Sequence, residues 1–169
     1  MLNSSDIMVT DELITAAENL RDNVEELGIM LEKEGLIDCV YNPLIYAWEP
    51  HKAFIELGGG KGAKTLLLGM NPGPHGMGQM GIPFSATSVV RDLLGIKGLK
   101  VGKPRNQHPK RPISGLDWHK EEVSGTRIWN LLEEHYGSVE EIFSNVFIVN
   151  HCPLMLFNGE RATNITPDK

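Results

Sequence analysis

The feature that most constrains this chain is a strand-length apolar run, Thr65 to Leu68, that passes without a spacer into Gly69-Met70-Asn71-Pro72-Gly73-Pro74. Glycine lets another group approach the main chain and proline fixes the turn, so the amide of Asn71 can be held at a defined angle. The run also suits a plain structural turn. Its meaning depends on what surrounds it.

A second buried strand, Val146 to Val149, ends at Asn150. Between and around these strands the pattern is helical. Thr10-Asp11-Glu12 supplies a capping hydroxyl and first-turn acids, Leu13, Ala16, Ala17, Leu20, Val24, Leu27 and Leu31 recur at helical spacing, and Gly35 offers a stop. Pro43, Tyr46 and Trp48 read as an irregular connection. A short helix is expected over Ser88 to Leu94, ended by Gly95. Another is capped by Ser124 and closed by Gly137, and Ser138 with Glu141 has capping-box spacing for one more. Strands separated by helices predict an α/β fold, a three-layer α/β/α sandwich around a central, mostly parallel sheet, forming one domain over residues 1–169. In that architecture ligands bind beyond the carboxyl ends of the strands, where the loops after Leu68 and Val149 both lie.

Function classes are narrowed by what the 169 residues contain. No apolar stretch approaches the roughly 20 residues needed to span a bilayer, and the acidic N-terminal segment lacks the charge pattern of an export signal. The expectation is a cytoplasmic monomer with no membrane partner. Cys39 and Cys152 are too few for a disulfide framework or an iron-sulfur cluster, and no His, Cys or carboxylate pair has metal-site spacing; neither metal nor cofactor is expected. The formal charge of −6 hides one basic segment. Lys97, Lys100, Lys103, Arg105, Lys110 and Arg111 occur with no acid among them, which suits either a solvated loop or a strip that holds phosphates.

Gly58 to Thr65 nearly spells a nucleotide-binding loop, but Ala63 stands where glycine is required. The run also precedes a strand, whereas the working motif opens a helix whose N-terminus meets the phosphates. A nucleotide-dependent enzyme is therefore disfavoured.

Residues Gly69 to Phe84, GMNPGPHGMGQMGIPF, resemble the first active-site motif of the single-strand-selective monofunctional uracil-DNA glycosylases. The resemblance extends through Tyr41-Asn42-Pro43, Tyr46-Ala47-Trp48-Glu49-Pro50-His51, His108-Pro109-Lys110-Arg111-Pro112, Glu122-Val123-Ser124-Gly125 and Asn150-His151-Cys152-Pro153-Leu154. It implies hydrolysis of the bond joining uracil, or an oxidised 5-substituted uracil, to deoxyribose in single- or double-stranded DNA, without lyase chemistry. Such a bond is reached only after the nucleotide is flipped out of the stack. The setting would be base excision repair, nucleoid-associated in a bacterium or nuclear in a eukaryote.

The resemblance also implies roles. Asn71 would place the attacking water, which a neutral amide can orient but not deprotonate. Phe84 would stack on the base, and Asn150 would read its edge by donating to one atom and accepting from another. Gly73 and Met77 would line the pocket near C5. Backbone amides around Met70 and Asn71 would meet the departing uracil O2, and Lys110 and Arg111 would bind DNA. Bland alternatives exist: Phe84 and Met77 as core packing, Asn150 as a turn former. His75 receives no role.

One expected part is absent. The family's second motif, a histidine-proline-serine loop after a further strand, has no counterpart here, since none of His51, His108, His119, His135 and His151 has its flanking sequence. Thr166-Pro167-Asp168 reads as a helix start at the very end, so a C-terminal truncation is expected, and with it impaired turnover. Losing such a donor typically costs about 100- to 1,000-fold. The alternative function is a non-catalytic module that binds damaged DNA.

Overall fold

The computed structural model describes residues 4–168 as a mixed α/β fold. Helix α1 spans Ser4–Lys33. It begins before Thr10, which lies inside it with its hydroxyl reaching the carbonyl oxygens of Asp6 and Gly59, each at 2.8 Å. The buried face of α1 centres on Gly28, which lies against Val40. Leu20 and Leu27, expected inside, are consequently 41% and 43% exposed. The helix ends near Gly35 as its sequence suggests, with Gly35 in the left-handed region at φ 67°.

Strand β1 (Cys39–Tyr41), helices α2 (Pro43–Tyr46) and α3 (Trp48–Gly58) follow, and the connection around Pro43, Tyr46 and Trp48 that the sequence suggested was irregular is helical, formed by α2 and the start of α3. Asn42 caps α2, its side-chain oxygen accepting from the Leu44 amide at 3.1 Å. The glycine run after α3 descends into β2 (Thr65–Gly69) without opening a helix, as expected. At Gly60 a side chain would meet the Asp6 carbonyl oxygen 2.3 Å away, so this run serves the packing of α1 onto the loop.

Beyond β2 come α4 (Met77–Met80), a π-turn over Val89–Leu93 and a 3₁₀ turn over Gly115–Asp117. Helix α5 (Val123–Tyr136) starts one residue before Ser124, which therefore is not its cap. Helix α6 (Val139–Asn145) is capped as expected, Ser138 Oγ accepting from the Glu141 amide at 3.2 Å. Strands β3 (Val146–Asn150), β4 (Met155–Asn158) and β5 (Thr163–Ile165) complete the described residues. Pro167 and Asp168 form a turn, not the helix start suggested by Thr166-Pro167-Asp168.

The sheets depart from the expected single, mostly parallel one. β2 and β3 pair in parallel, while β1, β4 and β5 form a separate antiparallel sheet in the order β1-β4-β5. The physical reason is a tight reversal at Gly159 (φ 72°), closed by the Ala162 amide on the Gly159 carbonyl, which folds β5 back on β4. The pairing that matters for the site is the parallel one. Its register sets Gly69 opposite Asn150, so both informative loops leave from one edge. β2 is buried on one face only: Leu66 and Leu68 are 61% and 62% exposed, although the run was expected to be buried throughout.

The main core lies on the other face of this pair, where Phe54, Met80, Ile82, Trp129, Phe143 and Ile148 are fully buried. A second core gathers Tyr41, Tyr46, Ile113, Met155 and Phe157 around the antiparallel sheet. Both cysteines are unpaired. No helix among the described residues is long and apolar enough to cross a membrane.

His51 on α3 shares its Nδ1 hydrogen with the Gly81 carbonyl at 2.6 Å. Burial is the dominant cause of a pKa below the usual imidazole value of 6.5, the carbonyl opposing it. Unfolded chains bind this proton more readily than folded ones, so stability is full above pH 6.5 and declines as pH falls through the depressed folded value. Thermal unfolding followed from pH 8 to pH 5 is expected to show a smaller loss on acidification in His51→Gln than in the parent chain. An unchanged slope would remove His51 as the cause.

Candidate active site

Four elements converge on one hollow of about 190 Å³, lined by Asn71, Gly73, Met77, Phe84, Glu122, Ser124 and Asn150. Five of these seven were expected from the sequence. The loop after β2 contributes Asn71 and Gly73, the chain around α4 contributes Met77 and Phe84, the start of α5 contributes Glu122 and Ser124, and the end of β3 contributes Asn150. The two strand ends are laced together beyond the ladder: the His151 amide donates to the Gly69 carbonyl at 2.8 Å and the Cys152 amide to the Met70 carbonyl at 2.9 Å.

Close approach explains the glycines. A side chain at Gly69 would come within 2.2 Å of Asn150 Oδ1 and 2.5 Å of Phe84 Cε2, so both groups lean directly on the bare α-carbon. At Gly125 an added carbon would meet the Phe84 carbonyl oxygen at 2.2 Å, so α5 clamps the backbone that carries the ring. Phe84 itself lies in the left-handed region at φ 51°. A non-glycine residue there costs of order 1–3 kcal/mol, and such strain clusters at ligand clamps.

The polar atoms are poised, not consumed. Asn71 Nδ2 is buried with no hydrogen-bond partner among the described residues. Buried donors are almost always paired, so an orphan in a cavity marks a place where water or a bound group completes it. Asn150 Nδ2 donates to the Met77 sulfur at 3.0 Å, a weak acceptor that a ligand oxygen readily replaces.

Met70, expected to act through its backbone amide, has a half-exposed side chain that lies outside the lining of the hollow. The two basic candidates lie in a neighbouring cavity of about 100 Å³ with His75, Trp118 and Lys120. Arg111 donates through Nε and Nη2 to the Ala162 carbonyl at 3.2 and 2.9 Å and lies over the Phe157 ring, so much of it is committed to holding the fold. Lys110 is exposed. Elsewhere in the basic segment, Arg105 pairs with Glu25 and Glu32 of α1 at 3.6 and 2.9 Å.

His75 stacks on Trp118 with ring centroids 5.6 Å apart and receives the indole hydrogen on Nδ1 at 3.2 Å. That leaves the ring hydrogen of the neutral form on Nε2. Burial, more than any nearby charge, holds its pKa below the usual value, with Glu122 opposing and Lys120, Arg111 and His119 assisting.

Glu122 and Ser124 join the pocket although the sequence marks them only as part of a family-like segment at a helix start. The usable signal was their position at a helix start, which points toward the sheet edge where the other loops gather.

Comparison with known proteins places these residues in context. No family model matches the chain. The single-strand selective monofunctional uracil DNA glycosylase of Bos taurus is 45% identical over 150 residues, covering 89% of this chain and 54% of its own length. The proteins of that name from Rattus norvegicus and Mus musculus are 42% and 41% identical over 150 residues, each match covering 89% of this chain and 52% of the relative. Wild-type SMUG2 of Pedobacter heparinus superposes with a TM-score of 0.49 at 18% identity, covering 76% of this chain and 49% of that one. The chain spans about half the length of the curated relatives it matches. On 41–45% identity across 89% of its residues, it belongs to the single-strand selective monofunctional uracil-DNA glycosylase family.

Proposed function

We propose that this chain removes uracil from DNA by hydrolysing the N-glycosidic bond, without lyase chemistry, as part of DNA repair. The observation that carries it is the shared hollow of Asn71, Phe84 and Asn150, with Asn71 Nδ2 buried and unpartnered. The relatives' name, uracil-DNA glycosylase, agrees with that geometry.

In the proposed reaction the target nucleotide leaves the stack and its base enters the hollow. Phe84 presents its ring to the base. Asn150 offers one acceptor and two donor hydrogens to the edge; uracil supplies the complementary N3 hydrogen and O4, whereas cytosine supplies the reverse. Asn71 orients a water toward C1′. As that oxygen bonds to C1′, the C1′–N1 bond breaks and its electron pair leaves with the base; the water's surplus proton passes to solvent and the uracil anion takes one up at N1, giving an abasic sugar and free uracil. Uracils oxidised at C5 are substrates in the same reading, and Lys110 holds phosphate beside the pocket. The same proposal includes slow turnover, because no imidazole or cation lines the hollow to receive charge on the leaving base. It also takes the parallel pair β2–β3 to be the centre of the three-layer, mostly parallel arrangement expected from the sequence.

A release assay tests this directly. A single-stranded oligonucleotide with one uracil is incubated with the chain and then treated with alkali, which breaks the strand at abasic sites. Strand breaks at uracil and none at cytosine are expected. Phe84→Ala should weaken binding of uracil-containing DNA by about 5- to 150-fold, the worth of one base–aromatic stack. Selective binding of uracil-containing DNA with no breaks at any enzyme concentration would favour the damage-binding module instead.

A further inference from the structure

Beside the base hollow lies the smaller cavity of about 100 Å³, bordered by Pro74, His75, Lys110, Arg111, Trp118 and Lys120 among others. The two cavities share a dividing wall. Gly73 borders the first and Pro74 and His75 the second, while Glu122 borders the first and Lys120 the second. The Glu122 stem closes that wall over Gly76, where an added carbon would meet Cγ at 3.0 Å and Cβ at 3.2 Å.

The walls of the smaller cavity are tied to one another. Buried Gln79 donates through Nε2 to the Pro74 and Pro112 carbonyls at 2.9 and 3.1 Å, and its Oε1 accepts from the Ser114 amide at 2.8 Å. The Tyr41 hydroxyl accepts from the His108 amide at 2.7 Å and donates to the Arg111 carbonyl at 2.8 Å. Thr87 donates to the Trp118 carbonyl at 3.2 Å. Groups mounted on so fixed a frame give up little freedom when a ligand arrives.

The charge bordering this cavity has one sign. No carboxylate lines it, and no ion pair engages Lys110 or Lys120 among the described residues. His75 adds a donor of another kind. With the indole hydrogen of Trp118 on Nδ1, the imidazole hydrogen is on Nε2, which has no acceptor among the described residues. A proton on Nδ1 would set hydrogen against hydrogen, so Trp118 favours the neutral ring. Burial and the charges of Lys120, Arg111 and His119 favour it too, with Glu122 opposing.

Ammonium groups and one N–H of fixed direction suit an oxyanion. The oxyanion nearest a base in the hollow is the phosphodiester of its own strand. We infer that this cavity is a phosphodiester site for the strand whose base fills the hollow, in which Lys120 supplies charge and His75, held as one neutral tautomer by Trp118, supplies a directed hydrogen. The inference rests on the pyrimidine occupancy proposed above. Its two contacts differ in kind: an ammonium releases a counterion from the strand, and a neutral donor releases none.

The salt dependence of binding tells them apart. The probe is a single-stranded oligonucleotide with one uracil on a 2′-fluoroarabino sugar, which resists hydrolysis, measured beside the same strand with cytosine. In Lys120→Gln the slope of log affinity against log salt should fall by about 0.7, the share of one phosphate contact on a single strand. His75→Phe, which keeps a ring against Trp118, should cost about 3- to 10-fold in affinity, the worth of one hydrogen bond, with the slope unchanged. Trp118→Phe frees Nδ1 to take a proton, so its affinity should rise more steeply than the parent's as pH falls through 6.5, and adding His75→Phe should remove that rise. A merely structural role for these residues would move neither the salt slope nor the pH profile. Unchanged affinity and slope in Lys120→Gln and His75→Phe, with uracil still bound over cytosine, overturns the inference and leaves the glycosylase reading standing. Tight binding of inorganic phosphate, with strand affinity unaltered in both variants, marks a site for free anions and overturns it as well. Equal binding of the uracil and cytosine strands overturns both.

Discussion

Asn71→Ala is expected to slow uracil release from single-stranded DNA by roughly 100- to 1,000-fold, the usual cost of losing one group that positions or stabilises the reacting atoms. The reason lies in the charge state of the side chain. An amide takes no proton from water, so its contribution is direction alone, and direction disappears with the side chain. Asn71 Nδ2 is buried without a partner among the described residues, so the folded protein forgoes a hydrogen bond that the proposed water would supply. Truncation should therefore leave stability unchanged or raise it slightly, by up to about 1 kcal/mol, since removing an unpaired buried donor relieves its desolvation cost. Single-turnover release measured beside thermal unfolding checks both halves. A variant that loses release and stability together would show that Asn71 is a structural residue.

Gly69→Ala is expected to cost release about 100-fold, by displacing two groups at once. The methyl has no free space: Asn150 Oδ1 and the Phe84 ring both stand inside the contact distance of the added carbon. Asn150 can rotate away, but then its amide no longer holds the register proposed to tell uracil from cytosine. Phe84 has less freedom, because α5 grips its carbonyl at Gly125. Overpacking of this kind typically destabilises by about 1–3 kcal/mol, which a folded domain can absorb. The telling comparison is uracil-over-cytosine selectivity in Gly69→Ala. Full selectivity with normal release would mean that neither group touches the base.

The site was more legible in this chain than the fold. Asn71, Gly73, Met77, Phe84 and Asn150 could be named because rigid glycine-proline chemistry sits directly after a strand and the motif around it resembles a known family. Glu122 was missed because its place in the hollow comes from a contact with Gly73, nearly 50 positions earlier in the chain, which no local pattern reveals. Arg111 carries a structural part that its local charge pattern does not show. Ala162 and Phe157 engage the guanidinium from far along the sequence. The antiparallel sheet escaped notice since β1 and β5 have three residues each, too short for any alternation to stand out. Exposure of Leu66 and Leu68 was equally invisible, because an apolar run carries no mark of which face finds a neighbour.

The pairing of Arg105 with Glu25 and Glu32 ties the basic segment to the N-terminal helix. Nucleic acid approaching that segment therefore meets a guanidinium already neutralised by internal anions that imitate its own backbone. In the proposed reading polyanion and helix compete for one cation, so occupancy by DNA should loosen α1, measurable as faster amide hydrogen exchange around Glu25 to Glu32. Added salt weakens both contestants together, leaving the helix least firmly seated where ionic strength is high.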